Sequence, residues 1–180
     1  MADVVPDGVR LFDGETEADL AAIARGLAGE RPWVAGPAGF VRYWAEMCGF
    51  ARGEVRTAPR VGSWLVVCGS RHPVSRRQAG LARVPVIQSA EEMGDPAVVA
   101  AGLAAEAAAY VVRHAPEGVI VMGGDTVWAV WRALGITELT PLPEVFPGIA
   151  ACVGDGRLFV TKAGGFGEDG LVEQILERFR

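Results

Sequence analysis

Short glycine-containing stretches with a small polar residue or a lysine follow apolar runs at three places in the chain. They are "CGS" at 68–70, "MGGDT" at 122–126 and "TKAGG" at 161–165. A strand that turns tightly into a helix leaves the first helical N–H groups unpaired, at the positive end of the helix dipole. Glycine lets the backbone approach a ligand closely and allows positive φ angles. The three stretches therefore predict an anion-binding site, and phosphate is the anion that such turns commonly bind.

Two side chains in these stretches could contact an anion directly. Ser70 is interpreted as a hydroxyl donor and not as a nucleophile, because His72 lies only two residues away on a turn and no partner acid is marked. Lys162 is the only lysine of the chain, whose other basic residues apart from histidine are arginines, and we expect its ammonium group to act as a point charge on phosphates. Gly165 is added to the candidate site because a glycine there lets the backbone approach a ligand closely.

Other interpretations of these residues stay open at this stage. In "GGDT", Asp125 or Thr126 could simply cap the following helix, as Asp and Thr often do. Trp128 and Trp131 have the i, i+3 spacing of one helical face, which favours core packing over an adenine platform. His114 ends a helical segment, where it suits the negative end of the dipole. The chain contains no Walker A motif.

The elements that must position these stretches alternate between strand and helix. This pattern predicts an α/β fold with a mixed, mainly parallel sheet flanked by helices. We expect a single nucleotide-binding domain over residues 1–180, with a lobe boundary near 51–62, where Arg, Gly and Pro accumulate. Ligands of open α/β sheets bind at the carboxyl ends of the strands, where the three stretches would converge. The predicted strands are "VRLF", "PWVAG", "SWLVVCGS", "VPVIQ", "GVIVM" and several short ones after residue 135, and the predicted helices include "ADLAAIARGL", "GPAGFVRYWAEMCGF", "VSRRQAGLA", "DPAVVAAGLAAEAAAYVVRHA", "VWAVWRALG" and "EDGLVEQILERF".

The overall composition narrows the class of protein. The net charge of −5 argues against a nucleic-acid footprint, and no uninterrupted apolar stretch reaches the roughly 18 residues of a membrane span. The opening lacks the basic and apolar regions of a secretory signal, so we expect a cytoplasmic protein. Cys48, Cys68 and Cys152 have no CxxC spacing. They predict reduced thiols, at least two of them packed as small hydrophobes, and no metal site.

The ordered set of motifs resembles the carboxyl-terminal, nucleotide-binding half of the four-carbon acid sugar kinases. "VVCGSRHPVSRRQ" is similar to the family's G-S-x-S-P-x-T-x-x-Q motif, "GGDTVWAVWRALGI" to its G-G-[DE]-T segment, "FPGIAAC" to its P-G-V-P segment, and "TKAGGFGEDG" to its K-x-G-x-F-G ending. The opening "LFDGETEADLAAIA" and "VAGPAGFVRYWA" resemble the D-x-x-T-x-x-D-L and G-S-A-G-L-A segments. The chain departs from the pattern where His72 and Pro37 replace serines, Ser75 a threonine and Phe40 a leucine. Nothing in it resembles the D-D-x-T-G segment of the family's amino-terminal, acid-binding domain.

The resemblance implies an ATP site with Mg²⁺ in which Ser70, Gly123, Gly124, Asp125, Thr126 and Gly164 contact the nucleotide, joined by Lys162 and Gly165 on the physical argument above. It implies the ATP-binding half of a kinase for acids such as threonate or erythronate, with the acceptor bound by a separate amino-terminal-type domain. No catalytic residue is assigned, and a homo-oligomer is left open. A non-catalytic nucleotide-sensing or interaction module and a structural protein whose glycines serve only as turns are the alternatives.

Overall fold

A computed structural model of the chain describes residues 8–30, 32–50, 56–90 and 95–180. Its residues fall into two compact units, Met1–Glu54 and Val55–Arg180. The second unit contains the sheet and the three glycine-containing stretches, and its elements give the fold class.

The first unit contains helices α1 (Glu17–Leu27) and α2 (Ala38–Met47). Helix α1 begins where predicted, because the Thr16 side chain accepts the Asp19 N–H and the Asp19 carboxylate accepts the Thr16 N–H, forming a capping box. The predicted strands "VRLF" and "PWVAG" are wrong: residues 9–12 and 32–36 are not in a sheet. Apolar runs this short become strands only when a neighbouring strand pairs with them.

The second unit is built on a six-stranded sheet in the order β2-β1-β3-β6-β5-β4. The strands are β1 (Trp64–Cys68), β2 (Val86–Gln88), β3 (Gly118–Met122), β4 (Thr140–Pro141), β5 (Ile149–Gly154) and β6 (Arg157–Lys162). Strands β2, β1, β3 and β6 are mutually parallel, whereas β5 and β4 are added antiparallel. The prediction of a mixed, mainly parallel α/β sheet is confirmed.

Helices cover both faces of this sheet. Helices α3 (Pro73–Leu81) and α6 (Leu171–Arg178) pack on one face, where Ala79, Leu171 and Ile175 join the side chains of alternate strand residues. Helices α4 (Pro96–His114) and α5 (Gly124–Ala133) pack on the other. Because β1 and β3 are buried along their entire length, their sequences are continuous apolar runs, as expected for parallel strands with helices on both sides.

Local sequence signals explain one turn and one helix start. The β5–β6 hairpin turns at Asp155 and Gly156, with φ of 50° and 70°, and this pair of positive angles is what a two-residue hairpin of type I′ requires. Helix α4 begins at Pro96 after the Asp95 carboxylate, which accepts the Ala97 N–H at 2.8 Å, as the sequence predicts.

Helix α4 is the one helix among the described residues that could cross a membrane by length and composition. This is weak evidence, because Leu103, Ala107 and Val111 on its inner face belong to the core that packs on the sheet. The helix is therefore part of the α/β core in this structure.

Candidate functional site

The carboxyl ends of three adjacent parallel strands lie side by side. Met122 at the end of β3 pairs with Cys68 at the end of β1 and with Lys162 at the end of β6. Backbone bonds tie the loops that follow: Gly69 and Ser70 each donate an N–H to the Met122 carbonyl at 3.1 Å, and Gly123 donates to the Lys162 carbonyl at 3.0 Å. The three glycine stretches therefore begin at one edge of the sheet.

A cleft of about 260 Å³ opens at this edge between the first two loops and the start of α4. It is lined by Gly69, Ser70, Arg71, Pro96, Val99, Ala100, Gly123, Gly124, Asp125 and Thr126. Ser70 and the segment 123–126 were chosen from the sequence, and the structure brings them together here. Lys162, Gly164 and Gly165 do not line this cleft and lie on the third loop beside it.

The first turn of α5 faces the cleft without a cap. The N-cap residue is Gly123, and no side chain accepts a hydrogen bond there. The N-termini of α3 and α4, in contrast, are capped by His72 and Asp95. The alternative that Asp125 or Thr126 only caps the helix is wrong. The helix start keeps the unpaired donors and the positive dipole end that bind anions.

Close packing between the first two loops explains their glycines. A Cβ at Gly69 would lie 2.0 Å from Thr126 Oγ1, and Gly123 has φ of +111°, which L side chains rarely adopt. Thr126 is almost fully buried in this contact. Gly124 differs, because a Cβ there would meet nothing within 4 Å. Its missing side chain leaves space in the cleft.

Ser70 and His72 form no nucleophile and base pair in the described structure. The His72 imidazole Nδ1 accepts the Val74 N–H at 3.2 Å and caps α3, while Ser70 Oγ accepts the backbone N–H of His72 at 3.3 Å. The Ser70 hydroxyl keeps its own proton for another acceptor. This arrangement agrees with its interpretation as a donor at the mouth of the cleft.

Lys162 is buried, with only 2% of its surface exposed. Its ammonium group donates to Ser75 Oγ at 2.8 Å and to the carbonyl of Gly164, and the Ser75 hydroxyl donates to the same carbonyl at 2.6 Å. Burial lowers the pKa of this lysine below its ordinary value. These bonds use two of the three N–H groups of the ammonium.

The third loop is held against α3 by polar contacts that sequence reasoning missed. Gln78 is fully buried, and its amide Nε2 donates to the carbonyls of Phe166, Gly167 and Glu168 at 3.2, 3.1 and 2.7 Å. Gly165 is required because a Cβ there would lie 2.4 Å from His72 Cε1. Ser75 and Gln78 therefore position this loop. Both occupy positions of the motif in "GSRHPVSRRQ", and this was the sequence signal that could have identified them.

Arg71 also lines the cleft, and its side chain was not chosen from the sequence. It lies between Ser70 and His72 in the locally basic stretch "SRHPVSRR". Its position at the cleft adds a guanidinium group to the hydroxyl and backbone donors. Guanidinium groups bind phosphate in a bidentate manner.

A larger groove of about 800 Å³ runs between α4 and α5. Trp128 lines it with 63% of its surface exposed. Trp131 instead packs edge-on against Phe159 in the core, with ring centroids 6.2 Å apart. The prediction that both indoles pack in the core is correct for Trp131 and wrong for Trp128.

The cysteines and the acidic residues supply no metal centre in the described ranges. No group of three His, Cys, Asp or Glu side chains there is arranged to hold a metal ion. All three cysteines are free thiols, Cys68 in the core and Cys152 partly buried against it, as predicted. Burial raises the pKa of both thiols and keeps them protonated.

Comparison with known proteins agrees with this geometry. Residues 86–172 match the model of a nucleotide-binding C-terminal domain. They include β3, the stretch "GGDT" at 123–126 and β6. A D-threonate kinase from Bordetella bronchiseptica is 30% identical over an alignment that is 224 residues long and covers 96% of this chain. The resemblance to the nucleotide-binding half of the four-carbon acid sugar kinases is confirmed. The chain spans about half of this relative, 53% of its length.

Solved structures show the same fold as this chain. A Bordetella bronchiseptica protein of the DUF1537 family, described as a domain-swapped dimer with bound citrate, has a TM-score of 0.59 and 26% identity, covering 92% of this chain and 50% of its own. A Salmonella typhimurium LT2 protein has a TM-score of 0.70 and 19% identity, covering 93% of this chain and 52% of its own. Both structures, like the kinase, extend well beyond the matched region.

Proposed function

We propose that this chain binds Mg·ATP and provides the nucleotide-binding half of a kinase that phosphorylates small sugar acids such as threonate or erythronate. The observation that carries the proposal is the uncapped start of α5, which faces the cleft beside Ser70 and Arg71. Backbone donors, a hydroxyl and a guanidinium group together suit a polyphosphate. The relationship to a D-threonate kinase supplies the substrate class.

The chemistry fits a protein that contributes mainly position and charge. Phosphoryl transfer needs the donor phosphates held in line with the acceptor, together with positive charge near the transferred group. We infer that the backbone of Gly123–Thr126, together with Ser70 and Arg71, holds the phosphates, that Mg²⁺ arrives with the ATP, and that the positive charge of Lys162 stabilises the phosphates. Gly164 and Gly165 complete the third loop around the nucleotide. We propose that the protein works in the cytoplasm, where ATP is available.

The acceptor is bound, in this proposal, by an amino-terminal-type domain outside these 180 residues. Support comes from the length of the relatives, of which the chain covers about half. We propose that the acceptor domain approaches the edge of the sheet where the loops end, since the γ-phosphate must be exposed to it.

A titration calorimetry experiment tests nucleotide binding. Purified protein is titrated with ATP in the presence and absence of Mg²⁺, and with inorganic phosphate as a weak-anion control. We expect saturable binding of Mg·ATP and a rise in the thermal midpoint, since a ligand that binds only the native state stabilises it. Absence of both effects contradicts the proposal.

A second candidate function is a nucleotide sensor without kinase activity. The observation that favours it is His72, which stands where the family pattern has serine and fills the N-cap of α3 beside Ser70. An ADP-release assay with threonate or erythronate, with and without the acceptor domain, separates the two functions. Mg·ATP binding without turnover in the presence of a verified acceptor domain selects the sensor.

A further inference from the structure

The groove between α4 and α5 is continuous with the phosphate cleft. Pro96, Ala100 and Asp125 line both cavities. The groove volume of about 800 Å³ lies within the ~300–1,000 Å³ that is typical of small-molecule sites. A ligand with its phosphates at the start of α5 can therefore extend directly into this groove.

The groove is lined mainly by alanines, together with Asp95, Pro96, Asp125 and Arg132, and it contains an exposed indole. Its α4 wall and part of its α5 wall consist of the small side chains of Ala97, Ala100, Ala101, Ala104, Ala105, Ala129 and Ala133. Trp128 also lines the groove and is 63% exposed. An exposed indole beside an alanine wall gives a flat aromatic ligand both a stacking surface and room to enter.

The order of residues along α5 matches the order of parts in a nucleotide. Gly124 lies at the phosphate cleft, Asp125 lines both cavities, and Trp128 lines only the groove. Asp125 and Trp128 are one turn apart on the same helical face, about 4.5 Å along the axis at ~1.5 Å per residue. A sugar placed at Asp125 therefore brings its base to Trp128.

We propose that this groove is the nucleoside site of the domain, in which the base stacks on Trp128 and a ribose hydroxyl donates to the Asp125 carboxylate. The proposal rests on the nucleotide binding proposed above. A carboxylate at the junction repels phosphate but accepts hydrogen bonds from ribose hydroxyls, as acidic residues do in dinucleotide-binding folds. It therefore favours the sugar between the two cavities and holds the phosphates at the helix start.

Competition between ATP and inorganic tripolyphosphate tests the groove separately from the phosphate cleft. We expect Trp128→Ala to weaken Mg·ATP binding by roughly tenfold to a hundredfold, the range for loss of one base-stacking side chain, and to leave tripolyphosphate binding within about twofold. Trp33→Ala is the matched control, because Trp33 is fully exposed and lines neither cavity. It should change neither affinity.

A second pair of variants fills the groove without altering the indole. Ala101 and Ala109 are both exposed on α4, but only Ala101 lines the groove. Ala101→Leu should weaken the binding of ATP and leave the binding of tripolyphosphate unchanged, whereas Ala109→Leu should change neither affinity. Asp125→Ala should reduce the preference for ATP over 2′,3′-dideoxy-ATP.

The outcomes distinguish the two proposals. If the wild-type protein binds ATP and neither Trp128→Ala nor Ala101→Leu weakens it, the groove is not the nucleoside site and the phosphate cleft stands. If both variants weaken the binding of ATP and of tripolyphosphate equally, the groove affects binding only through the phosphate cleft and the inference is wrong. If the wild-type protein binds neither ligand, the proposed function fails with it.

Discussion

At the scale of single residues, Lys162 combines burial with a position at the end of β6. A buried ammonium group is costly unless hydrogen bonds or an anion compensate for its lost hydration. Ser75 and the Gly164 carbonyl supply part of that compensation. An incoming phosphate would supply the rest, because it brings a full negative charge to a cation that has no carboxylate bonded to it in the described structure.

Lys162→Met keeps the length of the side chain and removes its charge. We expect the affinity for Mg·ATP to fall on the order of tenfold to a hundredfold, which corresponds to the loss of one charge-assisted contact of about 1.5–3 kcal/mol. Adenosine, which has no phosphate, should bind unchanged. Isothermal titration with both ligands checks this, and an equal loss for both would show that the lysine is purely structural.

The lowered pKa of Lys162 also predicts a pH dependence of folding stability. Between the folded-state pKa and the ordinary value of 10.5, the unfolded chain holds a proton that the folded chain has released. The free energy of unfolding therefore rises with pH in this window. Urea unfolding without ligand should show the wild type gaining stability relative to Lys162→Met as pH approaches 10.5, and a gap that stays constant with pH contradicts the assignment.

Gly165 and His72 form a second residue-scale pair. Gly165→Ala would drive a Cβ against the His72 ring, so the loop or the ring must move. We expect Gly165→Ala to lower both the thermal midpoint and the affinity for ATP, and the double variant with His72→Ser to recover most of the loss in affinity. Thermal denaturation and titration of both single variants and the double variant measure this coupling. Additive losses would show that the two positions act independently.

At the scale of elements, the start of α5 is the feature on which nucleotide binding depends. Gly124→Val should leave the fold intact, because the added side chain meets no protein atom near its Cβ. The same side chain projects at the cleft, where we expect it to abolish measurable ATP binding. The positive φ angle belongs to Gly123 and not to Gly124, so backbone strain does not contribute.

Gly80→Val is the matched control for this variant. Gly80 also lies in a helix with open space at its Cβ, but it does not line the cleft. Circular dichroism and thermal denaturation should show both variants folded, with ATP binding lost only in Gly124→Val. Normal binding by Gly124→Val would mean that "GGDT" is a turn and no more.

At the scale of the whole molecule, the proposed kinase activity depends on two domains. The chain alone should bind Mg·ATP and release no ADP above background with threonate or erythronate, because no group of its own is proposed to hold the acceptor in line with the γ-phosphate. Addition of the amino-terminal-type domain should produce turnover. A coupled ADP-release assay measures both states, and robust turnover by the lone chain would contradict the division of labour.

The first unit exposes several large apolar side chains, among them Leu11, Trp33 and Phe50. Its buried apolar cluster consists mainly of Ala24, Leu27 and Phe40. Exposed apolar side chains are common on folded proteins, and single ones do not by themselves indicate a binding surface.

The amino-acid sequence by itself determined the parallel strands of the second unit and the loops at their ends. Continuous apolar runs such as "WLVVC" and "GVIVM" need a helix on each side, and parallel strands then place their carboxyl ends at one edge. Short runs such as "VRLF" were misjudged, since a strand exists only where a partner pairs with it. Strand pairing is a property of the tertiary structure.

Only the tertiary structure decided how each candidate side chain is used. Trp128 and Trp131 share a helical face, yet one is exposed in a groove and the other packs on Phe159, because the neighbours of a helix differ along its length. The same holds for Lys162, whose burial against Ser75 depends on α3, a helix that is distant in sequence. Sequence spacing specifies which residues share an element, but burial and hydrogen bonding depend on what the fold packs against that element.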